Sequence, residues 1–514
     1  MIKVNQLGYR PRDYKKAVVS SESTRFQVLT TPGEEVVFEA PVSEVRISEA
    51  TQDAVRIADF SELTVAGLYK IRTEVGDSDS FVIREDAYRS VRTSVLEFFP
   101  AQACGVEVKA GLWSHEACHT TPAYVINEEG QETGEIIDVS GGWHDAGDYG
   151  RYPTPAAMAV SQLLWAHELS PNSRDEDLIY TWFEIEWMLK MQEPISGGVY
   201  HKASCHTFCA LDIMPNEEKE KIIVSPISLT ATANSAAVWA MASRLYPEHK
   251  EKLLSAALKA WAFCKNNEQM SGFKNPPGIL TGEYGDSHTS DELFWLASEL
   301  YIATKDSTFL GAMKRYQPSL GFGWREVGSF GIIAYLEHSK DESDTSFYQE
   351  CLSLFLNEAK RLNEVYLTEP YGVSLGAEYT WGSNLAVGNN AMTLLLASRY
   401  TDTLTSAQYI KAATDHMHYI LGCNALYTSF ISGFGRHPMA HPHHRPSVAV
   451  NAAMPGMVSG GPNGTTSADP ALREVNKELP PAKCWVDHDD SYSSNEVTVY
   501  WNSSIYFVMA YLGY

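Results

Sequence analysis

Apolar and polar positions alternate with a period of two through the first 84 residues. The runs are Lys16-Ala17-Val18-Val19, Arg25-Phe26-Gln27-Val28-Leu29, Glu35-Val36-Val37-Phe38, Leu68-Tyr69-Lys70-Ile71-Arg72 and Ser80-Phe81-Val82-Ile83. Thr31-Pro32-Gly33-Glu34 and Ala66-Gly67 supply turns between them. Short strands at this spacing predict a small β-sandwich over 1–84. From about Asp86 the period becomes helical. Leu178, Trp182, Ile185 and Leu189 share one helix face, as do Val238, Met241 and Leu245, and Leu254, Ala257, Leu258 and Trp261. Further helical windows cover 156–168, 289–304, 346–366, 388–400, 406–421 and 496–512, the last opening on Glu496 as an amphipathic helix. Many windows are apolar around most of their circumference, which predicts burial on more than one side. No sustained βαβ alternation or internal repeat is visible, so 85–514 reads as an all-α domain with long loops rich in Gly, His, Trp and Asp.

Composition narrows the class. A chain of 514 residues with 44% hydrophobic content, 12 Trp and 27 Tyr has enough apolar surface for a large core and more than one domain. The net charge of -24 argues against nucleic acid and anionic membrane surfaces as partners. Met1-Ile-Lys-Val-Asn-Gln-Leu-Gly-Tyr9 has no apolar leader core, and no run approaches the roughly 18 apolar residues of a membrane span. The chain thus reads as cytoplasmic, or as secreted if a leader has been removed. Eight cysteines are too sparse for a disulfide framework.

Three stretches carry chemistry. Asp138-Val-Ser-Gly-Gly-Trp-His-Asp-Ala-Gly-Asp-Tyr-Gly-Arg-Tyr152 sets two carboxylates, Asp145 and Asp148, in a glycine-rich bend. Read alone, it is either an Asp/Gly-rich surface turn or a loop that aims both carboxylates at one water. Trp485-Val-Asp487, Tyr492-Ser-Ser-Asn-Glu496-Val-Thr498 and Asn502-Ser503 follow near the end; a Glu at a helix start is either a dipole-pairing residue or an acid. Pro442-His443-His444-Arg445-Pro446, with His437 and His441, is either a polar ligand-binding loop or a metal tract. Cys104, Cys118, His119 and His144 are either two buried thiols and two loop histidines or a four-ligand metal set.

The bend matches throughout the pattern Gly-Gly-Trp-(His/Tyr)-Asp-Ala-Gly-Asp, and so resembles the catalytic-base motif of family 9 glycoside hydrolases, the inverting cellulases. The terminal stretch resembles that family's acid signature. The resemblance implies Asp148 as base, Asp145 as its partner on the same water, and Glu496 as a general acid with a raised pKa. The inverting reaction needs one protonated and one ionised carboxyl group about 6.5–9.5 Å apart, leaving room for the water. The Pro-His-x-Arg element implies sugar contacts by His443 and Arg445. Position 437, where the family usually has Asn, Lys or Arg, is His here. Loops at Gly198-Val-Tyr200-His201-Lys202, Phe322-Gly-Trp324 and Tyr379-Thr-Trp381-Gly-Ser-Asn384 resemble the family's cleft loops. They make Trp381 and Tyr200 candidates for stacking on sugar rings, with Tyr492 of the acid signature as a further substrate-binding residue.

Val4-Asn5-Gln6-Leu7-Gly8-Tyr9 looks like the start of the immunoglobulin-like module of one family branch, which also implies a structural zinc on Cys104, Cys118, His119 and His144. Gly282-Glu-Tyr-Gly-Asp286-Ser287-His-Thr-Ser-Asp291-Glu292 resembles the family's calcium loop, with Ser287, Asp291 and Glu292 as ligands and Glu326 as the nearest match for a further one. No organic cofactor is implied. The expected architecture is an immunoglobulin-like β-sandwich (1–84) followed by an (α/α)6 barrel (85–514). The expected activity is endo-β-1,4-glucanase action on cellulose-type glucans and soluble cello-oligosaccharides. The alternatives are an exo-acting β-glucosidase or exo-β-glucosaminidase, and a non-catalytic carbohydrate-binding protein on the same scaffold.

Overall fold

The structure is a computed structural model that describes residues 1–514 except 172, 344, 466–468 and 476–477. The described residues form two compact units: Met1–Phe98 with Ser170–Asn172 and Glu358–Tyr514, and Phe99–Leu169 with Ser173–Asn357.

In the first unit the period-two runs fold as two sheets. One orders Lys16–Ser20, Ala54–Asp59 and Arg46–Ile47; the other orders Val36–Pro41, Arg25–Thr30, Gly67–Thr73 and Gly76–Asp77, with Phe81–Ile83 also paired to Gly67–Thr73. All these pairs are antiparallel. Val19, Phe26, Val28, Ala58, Tyr69, Ile71 and Phe81 fill the space between them, the alternation that a sandwich requires. Ala54–Asp59 is missing from the sequence-predicted strands although Val55, Arg56 and Ile57 alternate with the period of two, with Val55 and Ile57 buried.

The helices of this unit, Ser383–Ala397, Thr403–Ile420 and Val499–Tyr511, are buried over long stretches. Gly388 is where two of them meet: a Cβ there would stand 2.4 Å from Ser504 Oγ. The last helix begins at Val499, with Thr498 accepting from the Trp501 N–H as its N-cap, and is buried from Val499 to Ala510. The expected amphipathic helix opening on Glu496 is corrected on both points. Glu496 precedes the cap and forms an isolated parallel bridge with His443. The sandwich joins this unit through a buried ion pair, Lys16 Nζ to Asp415 Oδ2 at 2.9 Å, and through Asn5 Nδ2 to His418 Nδ1 at 2.9 Å. Tyr427 sits in the sandwich core itself.

The second unit holds the helices Pro153–Leu169, Asp175–Lys190, Leu229–Leu245, Lys250–Asn266, Ser290–Thr304, Ser307–Tyr316 and Gly328–His338. Every residue from Leu229 to Ser243 is buried, which explains why its sequence shows little amphipathicity. Short strands edge the helices in a sheet ordered Glu132–Ile137, Ala123–Ile126, Ile223–Val224 and Ala203–Ser204. Among the described residues no helix is long and apolar enough to cross a membrane.

Candidate active site

The bend at 138–152 is braced by groups outside it and by its own Arg151. Gly142 has φ +76°, and a Cβ there would lie 2.6 Å from the Trp187 ring, so only glycine fits. Residues 102–104 run antiparallel to 142–144: Cys104 N–H donates to Gly142 O (2.8 Å) and His144 N–H to Gln102 O (2.8 Å). The Gln102 side chain donates to the carbonyls of His144 (3.1 Å) and Ala146 (3.0 Å). Trp143 N–H donates to Glu184 Oε2 (2.6 Å), and the buried Arg151 guanidinium donates to the carbonyls of Val139 and Gly141.

These supports set the two aspartates. Asp148 Oδ2 accepts from Gly150 N–H (2.9 Å) and Tyr152 O–H (3.3 Å). Asp145 is 3% exposed, and its Oδ2 accepts from Tyr284 O–H at 2.5 Å. Its Oδ1 is buried with no hydrogen-bond partner among the described residues. Burial first, and the Asp148 charge as well, push the Asp145 carboxyl well above the usual range, while the Tyr284 bond opposes them. Tyr284 was not singled out from sequence although it lies in the Gly-Glu-Tyr-Gly stretch. A hydroxyl-bearing ring between glycines is the signal that could have marked it. Glu184 was missed too; an acid within the apolar stripe of Trp182, Ile185 and Leu189 is its signal.

Cys104, Cys118, His119 and His144 do converge, with all four ligand atoms within 4.8 Å of one another. Cys104 Sγ lies 3.9 Å from Cys118 Sγ and 3.6 Å from His119 Nδ1, and Cys118 Sγ is 3.7 Å from His144 Nε2. A tetrahedral ion with bonds of about 2.3 Å to sulfur and about 2.0–2.1 Å to nitrogen needs edges of about 3.5–3.8 Å. The group therefore fits a metal ion. His119 Nε2 meets Glu218 Oε2 at 2.9 Å, the carboxylate partner that orients a ligating imidazole. Burial opposes ionisation of Cys104, but the Cys118 hydrogen bond and the charge of Arg151 hold that thiol well below its usual range.

The carboxylates expected for calcium are arranged differently from the sequence expectation. Ser287 is exposed, and its Oγ lies 3.5 Å from His288 Nδ1. Asp291 is buried and accepts from Val327 N–H (2.9 Å), while both oxygens of the buried Glu292, and Asp286 Oδ2, have no hydrogen-bond partner among the described residues. Burial and mutual repulsion among Asp286, Asp291 and Glu292 push Glu292 up, and Glu326 is raised by burial and by Asp286 and Asp291. Asp286 thus joins Asp291 and Glu292, and Ser287 turns outward. This group is looser than the Cys/His cluster. Among the described residues only that cluster and the partly exposed His488, Asp489 and Asp490 bring three ligand atoms within 4.8 Å.

The segment that carries Glu496 belongs to the other unit. His443 N–H donates to Asn495 O (2.9 Å), and Gly460 N–H donates to Glu496 O (2.9 Å). Asp487 accepts from the backbone N–H groups of Ala440 (2.9 Å) and His441 (2.8 Å) and from Asn495 Nδ2 (3.0 Å). His443 Nδ1 lies 2.6 Å from Asp489 O, and burial lowers its pKa. The Tyr492 ring stands edge-on to His443 at 6.0 Å and 5.5 Å from Trp381. Arg445 is buried at the start of the short helix Arg445–Ala449, and His444 bonds Ser447 Oγ (2.8 Å). His437 is exposed and faces Asp79 of the sandwich at 3.7 Å. Trp381 is 49% exposed and offers an open ring face. Tyr200 is 5% exposed, far less open than Trp381.

Comparison with known proteins decides the family. The model of glycosyl hydrolase family 9 matches residues 88–509, and that of the cellulase N-terminal ig-like domain matches 1–78. The chain belongs to glycosyl hydrolase family 9. It is a glycoside hydrolase, with an immunoglobulin-like β-sandwich followed by an (α/α)6 helical barrel. It is 32% identical to a cellodextrinase of Butyrivibrio fibrisolvens, covering 99% of this chain and 98% of the relative. A thermostable endoglucanase (D468A mutant) from Alicyclobacillus acidocaldarius matches with TM-score 0.92 at 35% identity, over 99% of each chain. A Zn-binding triple mutant of the family 9 endoglucanase J30 matches with TM-score 0.90 at 28% identity, over 98% of this chain and 99% of that one.

Proposed function

We propose that this enzyme is an inverting endo-β-1,4-glucanase acting on cellulose-type glucans and most readily on soluble cello-oligosaccharides. Glu496 serves as general acid to the leaving oxygen. Asp148 takes the proton from the attacking water, and Asp145 holds that water through its second oxygen. The observation that carries this reading is the buried Asp145–Asp148 pair, with Asp145 Oδ1 lacking a hydrogen-bond partner among the described residues, on a loop too constrained to serve as a surface turn. His443, Arg445, Tyr492 and Trp381 supply sugar contacts: the ring faces pack on pyranose C–H groups and the polar groups bond hydroxyls. The likeness to endoglucanases supports the linkage, and the likeness to a cellodextrinase supports short soluble substrates.

The Cys/His group takes zinc in a closed four-ligand site, so the ion is structural and fastens the base loop. Asp286, Asp291 and Glu292 take calcium, a hard ion suited to their oxygens. The sandwich comprises 1–84 and the catalytic domain 85–514. Exo action is the alternative reading, and cellopentaose separates the two. An endo enzyme yields mixed cellobiose and cellotriose early in the reaction; release of glucose alone would assign the exo activity instead. A parallel screen of chito- and glucosamine oligosaccharides should show no turnover.

A further inference from the structure

We propose that Lys202 is a positioning residue for the catalytic base, gripping the loop 275–284 so that Tyr284 is held on Asp145. The inference rests on the reading of Asp145 and Asp148 as the water-activating pair.

Lys202 is fully buried. Its ammonium lies 2.6 Å from Asn275 Oδ1, 2.6 Å from Gly282 O, 3.0 Å from Thr281 Oγ1 and 3.2 Å from Thr281 O. No carboxylate among the described residues stands within ion-pair distance of it. A buried ammonium is costly, and burial lowers its pKa to about 7. All four of its contacts are neutral oxygens of one loop, so the charge serves to gather that loop. The neighbours of Lys202 on the same stretch act alike. His201 stacks on Phe273 at 3.6 Å and reaches Glu283 O with Nε2 at 2.7 Å, and Ser204 Oγ lies 2.9 Å from Thr281 Oγ1.

The loop so held ends on Tyr284, a non-glycine residue at φ +45°. That left-handed conformation persists only where the surroundings impose it. Its hydroxyl donates to Asp145, and its ring lies 4.9 Å from Tyr152. On its other side the gripping stretch pairs with the base loop: Arg151 N–H donates to Ala203 O and Ala203 N–H to Arg151 O, both at 3.0 Å. Lys202 Nζ also lies 5.8 Å from the centroid of the Tyr152 ring, whose hydroxyl donates to Asp148. The titratable groups that face Lys202 are Asp148 and Glu283, whose charges favour its protonated form, with Tyr152 and the adjacent His201. One cation therefore addresses both aspartates through two tyrosines.

The test is a double-mutant cycle on kcat with cellotetraose, using Lys202→Met, Tyr284→Phe and the pair, in enzyme of the full chain. Each single change should lower kcat by roughly 10- to 100-fold with KM within about twofold, the scale expected when a supporting group is misplaced. The pair should be no worse than the poorer single change by more than about threefold, because both act through one contact. The acidic limb of the kcat/KM profile should move to higher pH in Lys202→Met, since a positive charge near Asp148 is gone. If Lys202→Met does not fold, Thr281→Val with Asn275→Leu removes two of the ammonium's contacts and takes its place with the same readouts. Fully multiplicative losses with an unmoved pH profile would overturn the inference and leave Lys202 as scaffold. An Asp148→Asn variant in the same series separates the failures. If it retains activity the base assignment itself falls; if it is inactive while the cycle is multiplicative, only the role of Lys202 falls.

Discussion

The loop that carries Asp145 and Asp148 takes side chains from distant parts of the chain, whereas the segment that carries Glu496 is held by backbone bonds together with small polar side chains, Ser459, Asn463 and Asp469 among them. Glu184, Gln102 and Tyr284 each place a side chain on the first, and Arg151 braces it from within. The second is held by backbone bonds from His443, Gly460 and Gly461, with Asp487 and the Asn495 side chain completing the frame. Backbone ladders tolerate substitution because every residue supplies the same groups. A loop fixed by side chains can be detuned from many positions far away in sequence. That contrast suits the chemistry: a proton donor needs reach, while a pair that activates water needs both carboxylates aimed at one point.

The largest break in this comparison comes from the carboxylates themselves. Asp148→Asn and Glu496→Gln should each lower kcat on cello-oligosaccharides by about 10³-fold with unchanged folding, a general-acid or general-base share of the rate. Circular dichroism and initial rates check it. Metal removal comes next and should touch the two regions unequally. Dialysis against a strong chelator should lower Tm by about 5 °C and activity by about 10-fold, through the base loop. Zinc should restore both where magnesium does not. An Asp487→Asn variant of the acid segment should respond to the chelator like the parent.

The smallest effect is a pH dependence. Burial holds the Glu184 carboxyl well above the ordinary glutamate value of about 4.5, so the native state keeps a proton that the unfolded state releases. The stabilisation is complete below 4.5 and fades as pH rises towards the folded value. Glu184→Gln keeps an acceptor for Trp143 N–H and removes that titration. Its Tm should fall less steeply than the parent's between pH 5 and 8, read by thermal melts across buffers.

Much of the site was legible in sequence because its chemistry is local. The bend from Gly141 to Asp148 and the Cys118-His119 pair announce themselves over a few residues, and strands such as Arg25–Thr30 follow from alternation alone. What escaped depends on long-range packing. Tyr284 reaches Asp145 across 139 positions, and Glu184 reaches Trp143 across 41. The outward turn of Ser287 and the burial of Asp286 beside Asp291 and Glu292 show only in the fold. The burial of Tyr200, against the exposure of Trp381, is likewise a matter of packing that the loop sequences do not show. Glu496 lies outside the last helix because Thr498 caps it, a choice between neighbouring positions that periodicity does not make.

Proton NMR of the first product formed from cellotetraose tests the central claim most directly. Attack by a water held on Asp145 and Asp148, opposite the departing oxygen, predicts that the new reducing end appears as the α-anomer and only later mutarotates to the β form. Initial appearance of the β-anomer would mean a covalent intermediate and retention, and would contradict the assignment of Asp148 as base and Glu496 as acid.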